Sequence, residues 1–148
     1  MRVALDTNVL AYAEGVNGTD RKQATLSLFE RLPQDAIVVP VLALGELYNV
    51  LVRKAGRSPD HAQSAILNWL DAFATAETSA RALVAAMDLA AHHRLSIWDA
   101  VILAVAAEAR CRLLLSENMQ AGFTWNGITV ANPYALQENP LLAAMLQA

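Results

Sequence analysis

Positive charge is scarce in this sequence. Eleven Lys and Arg face fourteen Asp and Glu, the net charge is −3, and the only lysines are Lys22 and Lys54. This balance argues against a broad basic face that would hold nucleic acid by neutralising many phosphates. It leaves open a metal-centred site that draws phosphate in locally. With a single cysteine, Cys111, the chain has no internal disulfide, which suits a reducing compartment. Charges interrupt every long apolar run before it reaches the ~18 residues of a membrane span. The N-terminus turns acidic at Asp6 with no signal-peptide cleavage pattern behind it, so a soluble, cytoplasmic protein that uses no membrane is expected.

What is present is apolar side chain. At 55% hydrophobic residues over 148 positions, one domain covering 1–148 can bury a core without disulfides or structural metal. Repeats, low-complexity stretches and Pro, Gly or Ser-rich linkers do not occur. The single basic cluster, Arg53, Lys54 and Arg57, reads first as a solvated helix end whose cations face the C-terminal dipole.

Short apolar runs alternate with longer helical segments. Strands are expected at Arg2–Leu5, Ala36–Val39, weakly near Thr75–Glu77, then at Arg112–Leu115 and Ile128–Ala131. Between them, Asp20 can cap a helix over Arg21–Leu32 with Ala24, Leu28 and Leu32 aligned. Pro40 suits the first turn of a helix running to about Ala55, with Leu44, Leu47 and Leu51 on one face. Ser58-Pro59 opens a helix with the stripe Ala62, Ile66, Trp69 and Phe73. Ser79 opens one with Leu83, Met87 and Ala90 aligned, Ser96 opens Ile97–Arg110, and Asn139-Pro140 begins a short last one. Such stripes serve core or subunit contact before any cofactor. Strands separated by helices imply parallel pairing, hence an α/β fold, a three-layer α/β/α sandwich with a short parallel sheet. Ligands in such folds sit beyond the carboxyl ends of the strands.

Four polar features fall where that rule looks. Asp6 ends the first strand; it can be an N-cap for the following helix or a functional acid. Glu46 stands in VPVLALGELYNVLV, the only charge between Asp35 and Arg53, and lines up with Leu42 and Val50. An inward carboxylate there needs a partner, although a lone surface Glu remains open. Asp99 follows Ser96 with the spacing of a capping box, a role compatible with facing the same sheet edge. Ser116, Glu117 and Asn118 form the turn after the fourth strand. Carboxylates gathered at one edge repel each other unless a cation joins them, and oxygen ligands favour Mg²⁺ or Mn²⁺ over zinc. His92 and His93 are adjacent and splay apart, so they read as ordinary helix-end residues.

Taken in order, Asp6-Thr7-Asn8, Glu46, Ile97-Trp98-Asp99-Ala100 and Ser116-Glu117-Asn118 resemble the PIN-domain ribonucleases, nearest to VapC-type toxins of toxin–antitoxin modules. The ending SENMQAGFTWNGITVANPY is similar to the family's S/T-E-D-L/M-Q-x-G … G-x-x-V-x-N-P close. The resemblance implies a PIN-like fold and metal-dependent endoribonuclease activity. It makes Asp6 and Asp99 direct metal ligands and has Glu46 act through water. Glu117 and Asn118 complete the catalytic set, with Thr7, Asn8 and Ser116 in support. It also implies an RNA substrate, a homodimer, and a cognate antitoxin seated in an apolar groove, for which Leu47, Tyr48, Trp69 and Leu70 are candidates that core packing explains equally well. The departure is Asn118, where the family usually carries Asp: one charge fewer weakens a second-metal site, and the alternative is a weakened or inactive PIN-like interaction module. Other phosphoryl-transfer classes fit worse. A phosphoaspartate phosphatase places a second Asp where Asn8 stands, and a receiver domain needs a Lys after a late strand.

Overall fold

The computed structural model describes residues 1–147. It opens with strand β1 (Arg2–Leu5), followed by helices α1 (Thr7–Ala13) and α2 (Thr19–Arg31). Next come β2 (Ile37–Pro40), α3 (Val41–Arg53), α4 (Pro59–Ala72) and β3 (Ala74–Ala76). Helices α5 (Ala80–His93) and α6 (Ile97–Glu108) lead to β4 (Cys111–Leu115), β5 (Thr124–Trp125), β6 (Ile128–Ala131) and α7 (Pro140–Gln147). One six-stranded sheet runs in the order β3-β2-β1-β4-β6-β5, parallel throughout except for the antiparallel β5–β6 pair. Helices α1 to α4 pack among themselves and α5 packs on α6, flanking the sheet in the expected three layers.

The central strands explain their own sequences. Val3, Ala4 and Leu5 of β1 and Leu113, Leu114 and Leu115 of β4 are fully buried, so both faces of the sheet demand apolar residues and no alternation appears. From β1 the chain builds β2 and β3 on one side, then crosses to build β4, β6 and β5 on the other. The carboxyl ends of β1 and β4 are therefore a topological switch point, where neighbouring connections diverge and leave a crevice. The core cluster reaches from Val3 to Met145.

Some expectations are corrected. Helix α2 is capped by Gly18, whose φ of 99° and ψ of 177° suit only glycine, and Asp20 lies in the first turn, where its charge meets the helix dipole. Its buried face is Thr25, Leu28 and Leu32, with Ala24 exposed. On α5, Leu83 and Met87 are 42% and 50% exposed; Ala82, Ala86 and Leu89 face inward instead. Small alanines let α5 close on α6, and close approach over several turns outweighs burying two larger side chains. Pro40 ends β2 rather than starting α3, at a position where its missing N–H is harmless. Strand β5 was not expected: two residues show no period, and its signal was the Asn126-Gly127 turn, with φ of 46° and 82°.

Candidate active site

Register brings the first two groups together. Leu5 pairs with Leu115 and Leu115 with Ala131, and the ladder continues one residue further: Asp6 N–H donates to Leu115 O at 3.0 Å and Ser116 N–H to Ala131 O at 3.0 Å. Asp6 and Ser116 thus stand side by side, just past the two central strands. Asp6 is only 4% exposed. Its Oδ1 accepts from Thr7 N–H at 2.8 Å, and its Oδ2 accepts from Ser116 Oγ at 2.7 Å and Asn8 Nδ2 at 3.0 Å. The capping and functional readings of Asp6 coexist, because the bond to Thr7 caps α1 while Oδ2 is held by side chains.

Ser116 is the hub beneath. Fully buried, its Oγ donates to Asp6 and accepts from the N–H groups of Asn118 and Met119 at 3.2 Å each. Asn8 ties the same turn from the other side, its Oδ1 accepting from Glu117 N–H at 3.0 Å. From α3, Glu46 reaches back to β1's end, where Thr7 Oγ1 donates to its Oε1 at 2.7 Å. Asp99 enters from the first turn of α6, positioned by Ser96, whose Oγ accepts Asp99 N–H at 3.1 Å.

A pocket of about 480 Å³ is lined by Asp6, Thr7, Asn8, Glu46, Asp99 and Asn118 among others. Burial pushes the Asp6 carboxyl up to about 6, against the hydrogen bonds from Ser116 and Thr7, and the nearby charges of Asp99 and Glu46 push the same way. Burial also raises Asp99. The lining also includes Tyr12, Asn17 and Asn49, none of them singled out from the sequence, and Lys54 of the basic cluster.

Glu117 is not brought to this pocket. Its Oε1 accepts from Tyr12 Oη at 2.6 Å and its Oε2 from Arg21 Nη2 at 2.6 Å. The Arg21 guanidinium lies over the Tyr134 ring, 4.9 Å from its centroid, and Tyr134 Oη meets Thr25 Oγ1 at 2.7 Å. Sequence alone could not assign Glu117 to this clamp, since Arg21 lies 96 positions away. The basic cluster divides as well. Arg57 binds Glu14 at 2.8 Å, Arg53 donates to Asn49 Oδ1 at 2.9 Å, and Lys54 borders the pocket. Of the expected groove residues, Tyr48 and Leu70 line an apolar groove of about 380 Å³ between α3 and α4, whereas Leu47 and Trp69 are core.

A model of the PIN domain matches residues 3–121. The chain belongs to the PIN-domain family. No curated protein sequence matches it. Among solved structures it is similar to a toxin–antitoxin complex from Klebsiella pneumoniae, at TM-score 0.69 and 20% identity over 90% of this chain and 99% of that one. It is also similar to Mycobacterium tuberculosis VapC20, described as a sarcin-ricin loop cleaving toxin. That match has TM-score 0.64 and 20% identity, covering 76% of this chain and 86% of the other. A third likeness is VapBC2 from Rickettsia felis bound to promoter DNA, at TM-score 0.65 and 18% identity over 89% and 98% of the two chains. In this PIN domain, β5, β6 and α7 lie beyond the matched span, yet β6 pairs with β4 and completes the sheet beside the site.

The donor set suits a hard divalent ion. All its groups are carboxylate or amide oxygens, and the buried Asp6 beside two further acids is charge that a cation would relieve. Among the described residues no three His, Cys, Asp or Glu converge into a metal cage.

Proposed function

We propose that this PIN-domain protein is a divalent-metal-dependent endoribonuclease, the toxin of a type II toxin–antitoxin module acting in the cytoplasm as a homodimer. The observation that carries this reading is the convergence of Asp6, Glu46 and Asp99 on one pocket at the β1/β4 switch point. The likeness to a protein described as a toxin and to one described as a toxin–antitoxin complex supports it, and supports an antitoxin as partner.

In this reading Asp6 and Asp99 hold Mg²⁺ or Mn²⁺, which when bound stabilises negative charge on the phosphoryl oxygens. The remaining roles belong to the chain. Thr7, Asn8 and Ser116 fix the Asp6 carboxylate through three donors, so its oxygens need no reorganisation when a ligand arrives. Glu46, steadied by Thr7 Oγ1, orients the water that attacks phosphorus in line and accepts its proton. Meanwhile the P–O bond to the opposite ribose oxygen breaks, and that oxygen leaves to take a proton from solvent. Asn118 offers a neutral amide at the pocket edge. The inactive-module alternative rests on that amide alone, and nothing in the site favours it, because the other three acids stay together.

The test incubates purified protein with total cellular RNA and Mg²⁺ or Mn²⁺, beside Asp6→Asn and Asp99→Asn. Cleavage should need the metal and fall at least about a hundredfold in each variant, the scale of lost metal-site interactions. Equal cleavage by all three proteins would sink the assignment.

A further inference from the structure

The pocket runs along α3 from an acidic end to a single cation. Glu46, Val50 and Lys54 lie at four-residue intervals on one helix face, with Asn49 beside them, and all four line the pocket. Between Glu46 and Lys54 the helix rises by about 12 Å. Lys54 makes no ion pair with those acids, nor with any other group among the described residues. Its neighbours are committed elsewhere. Arg57 gives Nη1 to Glu14 Oε1 and Nη2 to Glu14 O, and Arg53 Nε is held by Asn49. An exposed, unpaired ammonium at the far end of an acidic pocket can meet a second anion on the same ligand.

We propose that Lys54 is a substrate-positioning residue that binds the backbone phosphate next to the one being cut, so that the pocket accepts a nucleic acid strand in preference to a single phosphodiester. This rests on the nuclease reading. The acids manage one phosphate through their cation, Lys54 takes its neighbour directly, and Asn49, between Glu46 and Lys54 on α3, lines the same pocket.

The experiment measures kcat and KM for cleavage of a single-stranded RNA oligonucleotide across a series of KCl concentrations, for wild type, Lys54→Ala, Lys54→Arg and Arg81→Ala. Arg81 is an exposed control of equal charge near the N-terminus of α5. That end lies by the C-terminal end of α6, away from Asp99, as the Ser79–Glu108 bond at 2.7 Å shows. Lys54→Ala should raise KM about tenfold with kcat nearly unchanged, the scale of one charge-assisted contact. It should also flatten the log–log salt dependence of kcat/KM by about 0.7, the loss of one phosphate contact to a single strand. Lys54→Arg should keep the wild-type slope. On a dinucleotide with one phosphodiester and no flanking phosphate, Lys54→Ala should match wild type. If Lys54→Ala behaves like Arg81→Ala on the oligonucleotide, or lowers cleavage of the dinucleotide equally, the proposal is overturned while the nuclease reading stands. Absence of metal-dependent cleavage by the wild type overturns both.

Discussion

Two carboxylates leave the ends of the central strands and meet opposite treatment. Asp6, after β1, is surrounded by neutral donors and two further acids, and its carboxyl is pushed up to about 6. Glu117, after β4, is met by the Arg21 guanidinium and the Tyr12 hydroxyl at 2.6 Å each. Burial holds Tyr12 above its usual range and Tyr134 up at about 12, so both phenols stay protonated at neutral pH. One acid is neutralised by the fold, while the other is held by neutral donors and meets no cation among the described residues. A carboxylate without a cationic partner at a buried strand end carries a standing cost, and it is there that the proposed metal would be held.

The strongest way to break this contrast is Asp6→Asn in metal-free buffer. The folded protein binds the Asp6 proton more tightly than the unfolded chain, whose carboxyl has the ordinary value of 3.8. Folding stability from this group is therefore fully present below pH ~4 and is lost as pH rises through about 6, by about 3 kcal/mol in all. With EDTA present, urea denaturation should show wild type losing stability between pH 4 and 7 while Asp6→Asn loses much less. Asp6→Asn should accordingly be the more stable protein at pH 7. A wild type whose stability rises through this window would refute an uncompensated Asp6.

Removing the hub is a smaller perturbation. Ser116→Ala leaves the Asn118 and Met119 N–H groups and Asp6 Oδ2 without their shared buried partner, costing about 1–3 kcal/mol. Because the Ser116 bond favours the Asp6 anion, its loss should also push the Asp6 carboxyl higher and weaken Mn²⁺ binding at pH 6 more than at pH 8, read by calorimetry. The smallest effect belongs to the other acid. The Arg21–Glu117 pair is partly exposed, 42% and 23% at its two side chains, so Glu117→Gln should cost no more than about 1 kcal/mol. In the same cleavage assay it should lose far less than Asp6→Asn. A loss matching Asp6→Asn would place Glu117 in the chemistry after all and erase the contrast.

Much of the architecture is determined locally. Apolar runs of four or five residues bounded by turns define β1, β2, β4 and β6, and Ser58, Ser79 and Ser96 each cap the helix they were expected to open. The acids at strand ends and helix starts could be read in sequence because the switch-point rule says where to look. Local pattern fails where two solutions compete. On Ala-rich α5 the Leu83–Met87 stripe and the Ala82–Ala86–Leu89 face are equally periodic, and only the closeness of α6 selects between them. On α3 the period aligns Glu46 with Leu42 and Val50, and only the fold shows that Val50, Asn49 and Lys54 turn with Glu46 towards the pocket.

By itself, then, the sequence determined the layers, the order of the elements and the acids offered at one sheet edge, because helix and strand periods and caps act over a few residues. The tertiary structure alone decided which acid is left without a cationic partner. Ser116 reaches Asp6 across 110 positions and Arg21 reaches Glu117 across 96, through strand register and the packing of α2. A carboxylate's chemistry depends on what lies within a few ångströms of it, and at such separations only the fold brings those groups there.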